Sequence, residues 1–276
     1  MSTVGDIPDH PIVADLRRVT GALAAAEHRP GQERMAAAVA NAISSKRHLI
    51  VQAGTGTGKS AAYLVPAIAA ATQGATGSSD GGQPKPVVVV TASKALQDQL
   101  AVKDLPFIEA HLGTPFDFAV LKGRNNYLCM QRVNEHLAAG RGSAKCAGKG
   151  AATQGQLELE ELAPAVKLEV KKLTRWSATT ATGDQSELDW APSDKAWQEV
   201  SVGSEECPGA NRCPAGQECF AENARAKAAL ADIVVVNTFL YGLDVGSDGA
   251  ILPDHDVVIF DEAHQLEDVM SDTVGI

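Results

Sequence analysis

The chain has 276 residues, 45% hydrophobic and 21% charged, a composition typical of a globular protein with one large domain or two smaller ones. Five cysteines are too few for a secreted disulfide scaffold of this length, and the formal net charge of −10 excludes nucleic-acid binding through bulk electrostatics, so any such contact must be local. Because no apolar run is long enough to span a membrane and the first residues lack a signal peptide, we expect a cytoplasmic protein with no membrane partner.

The first predicted elements surround a glycine-rich loop. A helical pattern covers Gly31–Ser44, and an apolar strand is predicted over His48–Gln52. Residues 53–60 then read Ala-Gly-Thr-Gly-Thr-Gly-Lys-Ser, which fits the phosphate-binding pattern G-x-x-x-x-G-K-[ST] with Ala in first place. Glycines let backbone amides turn towards phosphates, and the next helix directs its N-terminal dipole at them. The predicted ATP contacts in this loop are Gly54, Thr55, Gly56, Thr57, Gly58, Lys59 and Ser60.

Two of these residues have predicted roles beyond backbone contact. Lys59 is placed to reach the β- and γ-phosphates, and the Ser60 hydroxyl is placed to bind Mg²⁺. A helix over Lys59–Ala71 follows, and then a Gly/Ser-rich surface loop over Gln73–Lys85. A glycine-rich turn that binds nothing is the simpler alternative, but the preceding strand and the following helix favour triphosphate binding.

Three further apolar runs predict strands over Val87–Thr91, Ile233–Asn237 and Val257–Asp261, with a helix over Ser93–Leu105 after the first of them. Nearly continuous apolar strands that alternate with helices indicate an α/β fold, in which helices cover both faces of a parallel sheet.

A long segment interrupts this pattern. About 165 residues separate Val87–Thr91 from Val257–Asp261, far more than a crossover helix requires. The part from about Cys129 to Asn223 holds all five cysteines, a low-complexity run and a charged helix near Leu157–Trp176, but no strong strand. We therefore predict a small, mainly helical insertion. The predicted domains are 1–125 for the first part of the ATP-binding domain, 126–225 for the insertion and 226–276 for the return of the ATP-binding domain.

The cysteines of the insertion have a regular spacing. Cys207, Cys213 and Cys219 are each separated by five residues, and Cys129 lies far upstream. Four thiolates can ligate either zinc or an iron–sulfur cluster, and this spacing does not decide between the two. Unrelated buried or free cysteines are the alternative, although a polar segment gives them little core to occupy.

The last predicted strand ends in two adjacent carboxylates. Residues 257–264 read Val-Val-Ile-Phe-Asp-Glu-Ala-His. Downstream of a P-loop, Asp261 is expected to help to hold Mg²⁺ and Glu262 to orient or deprotonate the attacking water, so Lys59, Asp261 and Glu262 form the predicted catalytic set. His264 either couples the nucleotide to another element or caps the next helix.

These motifs together resemble a known family. The loop at 53–60 and the Asp-Glu-Ala-His sequence look like motifs I and II of superfamily 2 helicases, and residues 91–100 resemble motif Ia. The run at 28–32, His-Arg-Pro-Gly-Gln, resembles the segment that senses adenine, with Gln32 as the base contact. The sequence Leu-Lys-Gly-Arg-Asn-Asn-Tyr-Leu-Cys at 121–129, the cysteine triplet and the strand at 233–237 are similar to the iron–sulfur DNA helicases of the DinG/XPD type.

The resemblance implies a RecA-like P-loop fold, ATP with Mg²⁺ as cofactors, and an ATP-dependent DNA helicase of 5′ to 3′ polarity, of the kind that serves DNA repair and replication. It also implies that Cys129, Cys207, Cys213 and Cys219 ligate a 4Fe–4S cluster, whereas Cys146 matches no ligand position. The implied partner is single-stranded or forked DNA.

Two basic segments were compared as DNA contacts. Lys122 and Arg124 beside Tyr127 combine charge with an aromatic ring next to a predicted cluster ligand, which makes DNA contact plausible. The second segment alternates with acidic residues and is more readily explained as a solvated helix face. It consists of Lys167, Lys171, Lys172 and Arg175 near Trp176.

The sequence given ends about a dozen residues after the two carboxylates, so the resemblance covers only the N-terminal half of a helicase motor. We expect the second RecA-like domain elsewhere, and we expect this chain alone to bind ATP but to hydrolyse it poorly. A nucleotide-bound redox- or metal-sensing regulatory protein without motor activity is the main alternative, and a zinc-bound ATPase is a third.

Overall fold

The computed structural model describes residues 10–24, 27–54, 57–73, 85–142 and 162–274. The chain divides into two compact units, which we call the sheet unit (residues 1–121 and 227–276) and the cysteine unit (residues 122–226). Among the described helices, none has both the length and the apolar character that a bilayer crossing requires. The predicted Gly/Ser loop over Gln73–Lys85 lies almost wholly outside the described residues.

The sheet unit contains four strands within its described residues, and helices precede and follow them. The helices are α1 (Pro11–Gly21), α2 (Pro30–Ser44), α3 (Lys59–Thr72), α4 (Lys94–Gln99), α5 (Leu105–Leu112), α10 (Thr238–Gly246) and α11 (Leu266–Val274). The strands are β1 (Val87–Thr91), β2 (Phe118–Val120), β3 (Ile233–Asn237) and β4 (Val257–Phe260).

All pairs of neighbouring strands in the sheet are parallel, and the order is β2-β3-β1-β4. Val87 pairs with Ile233 on one side and with Val257 on the other, so the first residues of the three strands are aligned. Because parallel strands in register end at one edge, the loops after β1, β3 and β4 emerge on the same side of the sheet. This edge is where ligands bind in open α/β sheets.

Both faces of the sheet are covered. Side chains alternate along a strand, so Val87 and Val89 point to the face packed by α1, α2, α3 and α5. Val88 and Val90 point to the opposite face and are also completely buried. The fully apolar strand sequences therefore reflect burial on two sides, and the predicted α/β fold with a parallel sheet is confirmed.

The predicted strand over His48–Gln52 is wrong. Residues 48–52 are not a strand, and the Ile50 side chain is 97% exposed. A strand requires a hydrogen-bonded neighbour, which an apolar pattern alone does not supply, and β4 pairs with β1 as its only neighbour among the described strands. The three-residue strand β2 was missed because Phe-Ala-Val is too short for a clear pattern.

The predicted helix over Ser93–Leu105 is longer and less regular than expected. Helix α4 continues into a π-helical segment, Leu100–Asp104, and then into α5. Pro106 lies in the first turn of α5 and has no N–H to donate to the preceding turn, which explains why the α-helical hydrogen-bond ladder is interrupted just before it.

The cysteine unit is mainly helical and has its own core. Its helices are α6 (Met130–Gly142), α7 (Pro164–Trp176) and α8 (Asp194–Val200), and α9 (Phe220–Leu230) begins in this unit. The core contains Leu128, Val133, Val170, Leu173, Ala196, Trp197 and Val200. Only the C-terminal part of the helix predicted near Leu157–Trp176 lies within the described residues, and there it forms α7.

Helix α7 offers a test of this second core. Leu173 is 0% exposed and Leu168, on the same helix, is 70% exposed. We expect Leu173→Ala to lower the free energy of unfolding by about 2–5 kcal/mol, because a large buried side chain is removed from a packed core. Leu168→Ala should change it by less than about 0.5 kcal/mol. Denaturant unfolding followed by the tryptophan fluorescence of the unit measures both, and equal effects would contradict the assigned core.

Candidate nucleotide-binding site

The end of the glycine-rich loop has a backbone conformation that favours glycine. Gly58 has φ of 76°, in the left-handed region, and it precedes the first residue of α3. A Cβ atom at this position would lie 2.4 Å from Gln32 Nε2, so a side chain there would be strained in its backbone and would displace the Gln32 amide. The Thr57 hydroxyl donates to the Gly54 carbonyl at 2.8 Å. Thr55 and Gly56 lie outside the described residues.

Helix α3 begins at Lys59, so Lys59 and Ser60 occupy its first turn. The first amides of a helix have no partners within it and carry the positive end of the helix dipole, which makes this turn suited to an anion. The predicted phosphate-binding residues therefore lie where a phosphate is bound most favourably.

The two predicted carboxylates follow β4 directly. The Asp261 amide donates to the Val90 carbonyl at 2.8 Å, which extends the pairing of β4 with β1 by one residue. Glu262 has φ of 58° and ψ of 46°, a left-handed conformation that is unusual for a residue with a side chain. Such backbone conformations cost about 1–3 kcal/mol and occur most often at functional sites.

The structure brings the two motifs together through one ion pair. Lys59 Nζ lies 2.6 Å from Glu262 Oε1, although the residues are 203 positions apart in the sequence. The hydrogen bond to Lys59 lowers the pKa of Glu262, and the same bond raises the pKa of Lys59. Both groups therefore stay charged at neutral pH. Glu262 is an unprotonated carboxylate that can accept a hydrogen bond, and Lys59 carries the positive charge that a triphosphate requires.

His264 also contacts Glu262. Its Nδ1 lies 3.3 Å from Glu262 Oε2, and its side chain is 67% exposed. The residue belongs to the short 3₁₀ segment Ala263–Gln265, which follows the strained glutamate. The described contacts therefore place His264 beside the predicted base and leave most of its ring accessible.

A buried tyrosine that was not predicted from the sequence joins the site. The Tyr63 hydroxyl donates to Asp261 Oδ2 at 3.1 Å. Burial, together with the charge of Asp261, raises the pKa of Tyr63 well above its usual value, so the hydroxyl keeps its proton. The available sequence signal was spacing, since Tyr63 lies four residues after Lys59 and so one helical turn along α3.

Gln32 touches the loop directly. Its Nε2 donates to the Gly58 carbonyl at 2.8 Å, and it lines a cavity of about 310 Å³ beside the loop. The lining combines apolar side chains with a few polar ones, as small-molecule sites generally do. It includes Val19, Leu23, Arg29, Gln32, Ser60 and Phe107. The apolar lining was not predicted from the sequence, because Val19 belongs to α1 and Phe107 to α5, distant from any motif.

A buried carboxylate fixes the helix that carries Gln32. Arg17 donates to both oxygens of Glu33, at 2.6 and 2.8 Å, and His28 Nε2 lies 3.2 Å from one of them. Arg17 holds the pKa of Glu33 below its usual range. Because Arg17 belongs to α1 and Glu33 to α2, this bidentate pair ties the two helices together next to the cavity.

The four predicted cluster ligands all lie in the cysteine unit. Cys129, Cys207, Cys213 and Cys219 are partly buried free thiols. Burial raises the pKa of Cys129, and the charges of Cys213 and Cys207 raise it further, so these thiols lie near one another. In the described part of the chain, however, no group of three or more His, Cys, Asp or Glu residues is placed to hold a metal ion.

Two arginines accompany these cysteines. Arg124 and Arg225 both interact electrostatically with Cys207 and Cys219, and Arg124 also pairs with Glu222. Cys146 lies outside the described residues.

The prediction that Lys122, Arg124 and Tyr127 contact DNA is wrong. The Lys122 side chain is only 4% exposed, and its Nζ lies 2.8 Å from Asp184 and 2.9 Å from the Ser186 hydroxyl. The Tyr127 ring is buried, and its hydroxyl accepts from the Lys122 amide. Arg124 is mostly buried against Glu222. These side chains stabilise the cysteine unit and are not available to phosphates.

The chain is similar to a family of nucleic-acid motors. The sequence profile of the DEAD/DEAH box helicases matches residues 30–127, a range that contains the loop, β1 and the motif Ia segment. The range begins at the first residue of α2, which carries Gln32.

Individual relatives match most of the chain. It is 42% identical over 260 residues to the ATP-dependent helicase DinG of Mycobacterium tuberculosis, covering 93% of this chain and 37% of the relative. It is 39% identical over 252 residues to the ATP-dependent DNA helicase YoaA of Escherichia coli, covering 90% and 34%. The 3'-5' exonuclease DinG of Bacillus subtilis is 30% identical over 251 residues, covering 90% and 24%. The chain thus spans about a third of the length of the curated DinG and YoaA helicases that it matches.

Proposed function

We propose that the chain is the N-terminal, ATP-binding portion of an ATP-dependent DNA helicase of the DinG type, which its similarity to the DEAD/DEAH box helicases, to DinG and to YoaA supports. The observation that carries the proposal is the Lys59–Glu262 ion pair, because it places the P-loop lysine beside the carboxylates that follow β4. The unwinding activity is proposed for the whole protein, since the chain matches about a third of its relatives.

Each residue of the site has a proposed task. Lys59 and the first amides of α3 bind the β- and γ-phosphates, and Ser60 and Asp261 provide oxygen ligands of the kind that Mg²⁺ prefers. When bound, Mg²⁺ neutralises charge on the phosphates. Gln32 and the adjoining cavity receive the base. Glu262 orients the attacking water and accepts its proton, and His264 supports that carboxylate.

Two substitutions separate binding from hydrolysis. We expect Lys59→Ala to weaken ATP binding roughly ten- to hundred-fold, because a charge-assisted hydrogen bond is lost. Glu262→Gln should retain ATP binding, since Lys59 no longer has a charged competitor for the phosphates, and should slow hydrolysis by about 10²- to 10⁴-fold. Titration with a fluorescent ATP analogue and single-turnover hydrolysis measure the two effects. If the Glu262→Gln variant hydrolysed ATP at the rate of the wild-type protein, Glu262 would not be the base.

We further propose that Cys129, Cys207, Cys213 and Cys219 ligate a 4Fe–4S cluster. The resemblance of residues 121–129, of the cysteine triplet and of β3 to the iron–sulfur DNA helicases of the DinG/XPD type supports this proposal. All four thiols are free and partly buried within the cysteine unit. Arg124 and Arg225 bring positive charge near Cys207 and Cys219. When bound, such a cluster supplies a one-electron redox centre.

The cysteine unit offers a matched pair of variants to test this proposal. Cys213→Ser should remove the broad absorbance near roughly 400 nm that iron–sulfur proteins show, together with bound iron and sulfide, because one of four thiolate ligands is lost. Cys146→Ser should leave both unchanged, since Cys146 has no proposed ligand role. Anaerobic purification with absorption spectroscopy and metal analysis makes the measurement. Stoichiometric zinc without colour in the wild-type protein would contradict the cluster.

For DNA we propose a contact face on α7, formed by Lys171, Lys172 and Arg175. All three are exposed, and with spacings of one, three and four residues they share one side of the helix. The neighbouring acid, Glu169, accepts hydrogen bonds from the Ser193 amide and hydroxyl at 2.9 and 2.6 Å, so it is engaged at the start of α8. Lys172 lies 3.9 Å over the Trp190 ring, which fixes its position.

A charge-matched comparison tests this face. Replacing Lys171, Lys172 and Arg175 together by Ala should weaken the binding of single-stranded DNA. The slope of log affinity against log salt should become shallower by about 2, because each lost phosphate contact contributes roughly 0.7 to it. The control replaces Arg34, Lys46 and Arg47, which are also exposed, and removes the same charge from the sheet unit. Fluorescence anisotropy at several salt concentrations measures both. Equal losses in the two variants would reject a specific role for α7.

A further inference from the structure

Tyr63 lies in the nucleotide-binding site but has no part in the function proposed above. It lies on α3, one turn after Lys59, and the whole residue is only 3% exposed. A buried hydroxyl without partners is costly, so its partners indicate what holds it in place. The hydroxyl donates to Asp261 Oδ2 at 3.1 Å, 198 residues away in the sequence.

Asp261 is one of the two residues proposed to bind Mg²⁺, and it directly follows β4, whereas Tyr63 lies on the helix that begins at Lys59. This hydrogen bond therefore links a proposed Mg²⁺ ligand to the P-loop helix.

We propose that Tyr63 is a positioning residue that orients Asp261 for Mg²⁺, an inference that rests on the proposed ATPase function. Its hydrogen bond to Oδ2 restrains rotation of the Asp261 carboxylate and does not engage Oδ1. Carboxylates that ligate metals are commonly held by such outer hydrogen bonds, and losing one typically costs 10- to 100-fold in metal affinity or activity. Because the ring is packed between buried residues, the hydroxyl has little freedom to move elsewhere.

The test removes only the hydroxyl. Tyr63→Phe keeps the aromatic ring in the core and deletes the hydrogen bond to Asp261. We expect the Mg²⁺ concentration that half-saturates binding of a fluorescent ATP analogue to rise about ten-fold or more. Binding of the analogue in EDTA should be unchanged, because the loop and Lys59 are intact. Titration with Mn²⁺, followed by electron paramagnetic resonance, reads the cation directly and independently of hydrolysis.

Tyr241→Phe is the matched control, since Tyr241 lies on α10 and its ring packs against His255 and Phe260. It should keep the wild-type Mg²⁺ dependence. A wild-type Mg²⁺ dependence in Tyr63→Phe would overturn the inference. Equal loss of binding with and without Mg²⁺ would also overturn it, because Tyr63 would then only support the fold. If the wild-type protein itself binds no nucleotide, the proposed function fails, and that result is distinct from either outcome.

Discussion

The ion pair between Lys59 and Glu262 joins two segments that the sequence places 203 residues apart, and the chemistry of the site depends on it. In the absence of nucleotide, the lysine has a carboxylate partner and neither charge is left without compensation. In the function proposed above, a phosphate that took up the Lys59 ammonium group would release Glu262 close to the water that it is proposed to activate. The proposal thereby links the availability of the base to occupation of the loop.

This pair can form only because the sheet aligns its strands. Val87 is level with Ile233 and Val257, so the residues that follow β1, β3 and β4 emerge at one edge. At that edge Glu262 adopts a left-handed backbone conformation, which turns its side chain towards α3 instead of continuing the strand. The strain of one residue and the hydrogen bond of Asp261 to Val90 together determine where the two carboxylates lie.

The sequence predicted the α/β class, three of the four strands of the sheet and the helices around the loop, because fully buried parallel strands and P-loops have strong local patterns. It failed where the outcome depends on a distant partner. Ile50 belongs to an apolar run with no strand neighbour, and Tyr63 gains its role only when β4 approaches α3. The cavity beside Gln32 was not predictable either, since its apolar lining comes from α1 and α5.

The buried pair of Lys122 and Asp184 changes how variants of the cysteine unit should be interpreted. The basic sequence Lys-Gly-Arg before Tyr127 looks like a nucleic-acid contact, yet its charges face inward and are matched by carboxylates. Removing one partner of such a pair leaves an uncompensated charge in the interior, which typically costs about 3–5 kcal/mol. Loss of DNA binding in a Lys122 variant would therefore indicate that the cysteine unit has unfolded. Any binding assay on such a variant must be accompanied by a measurement of folding.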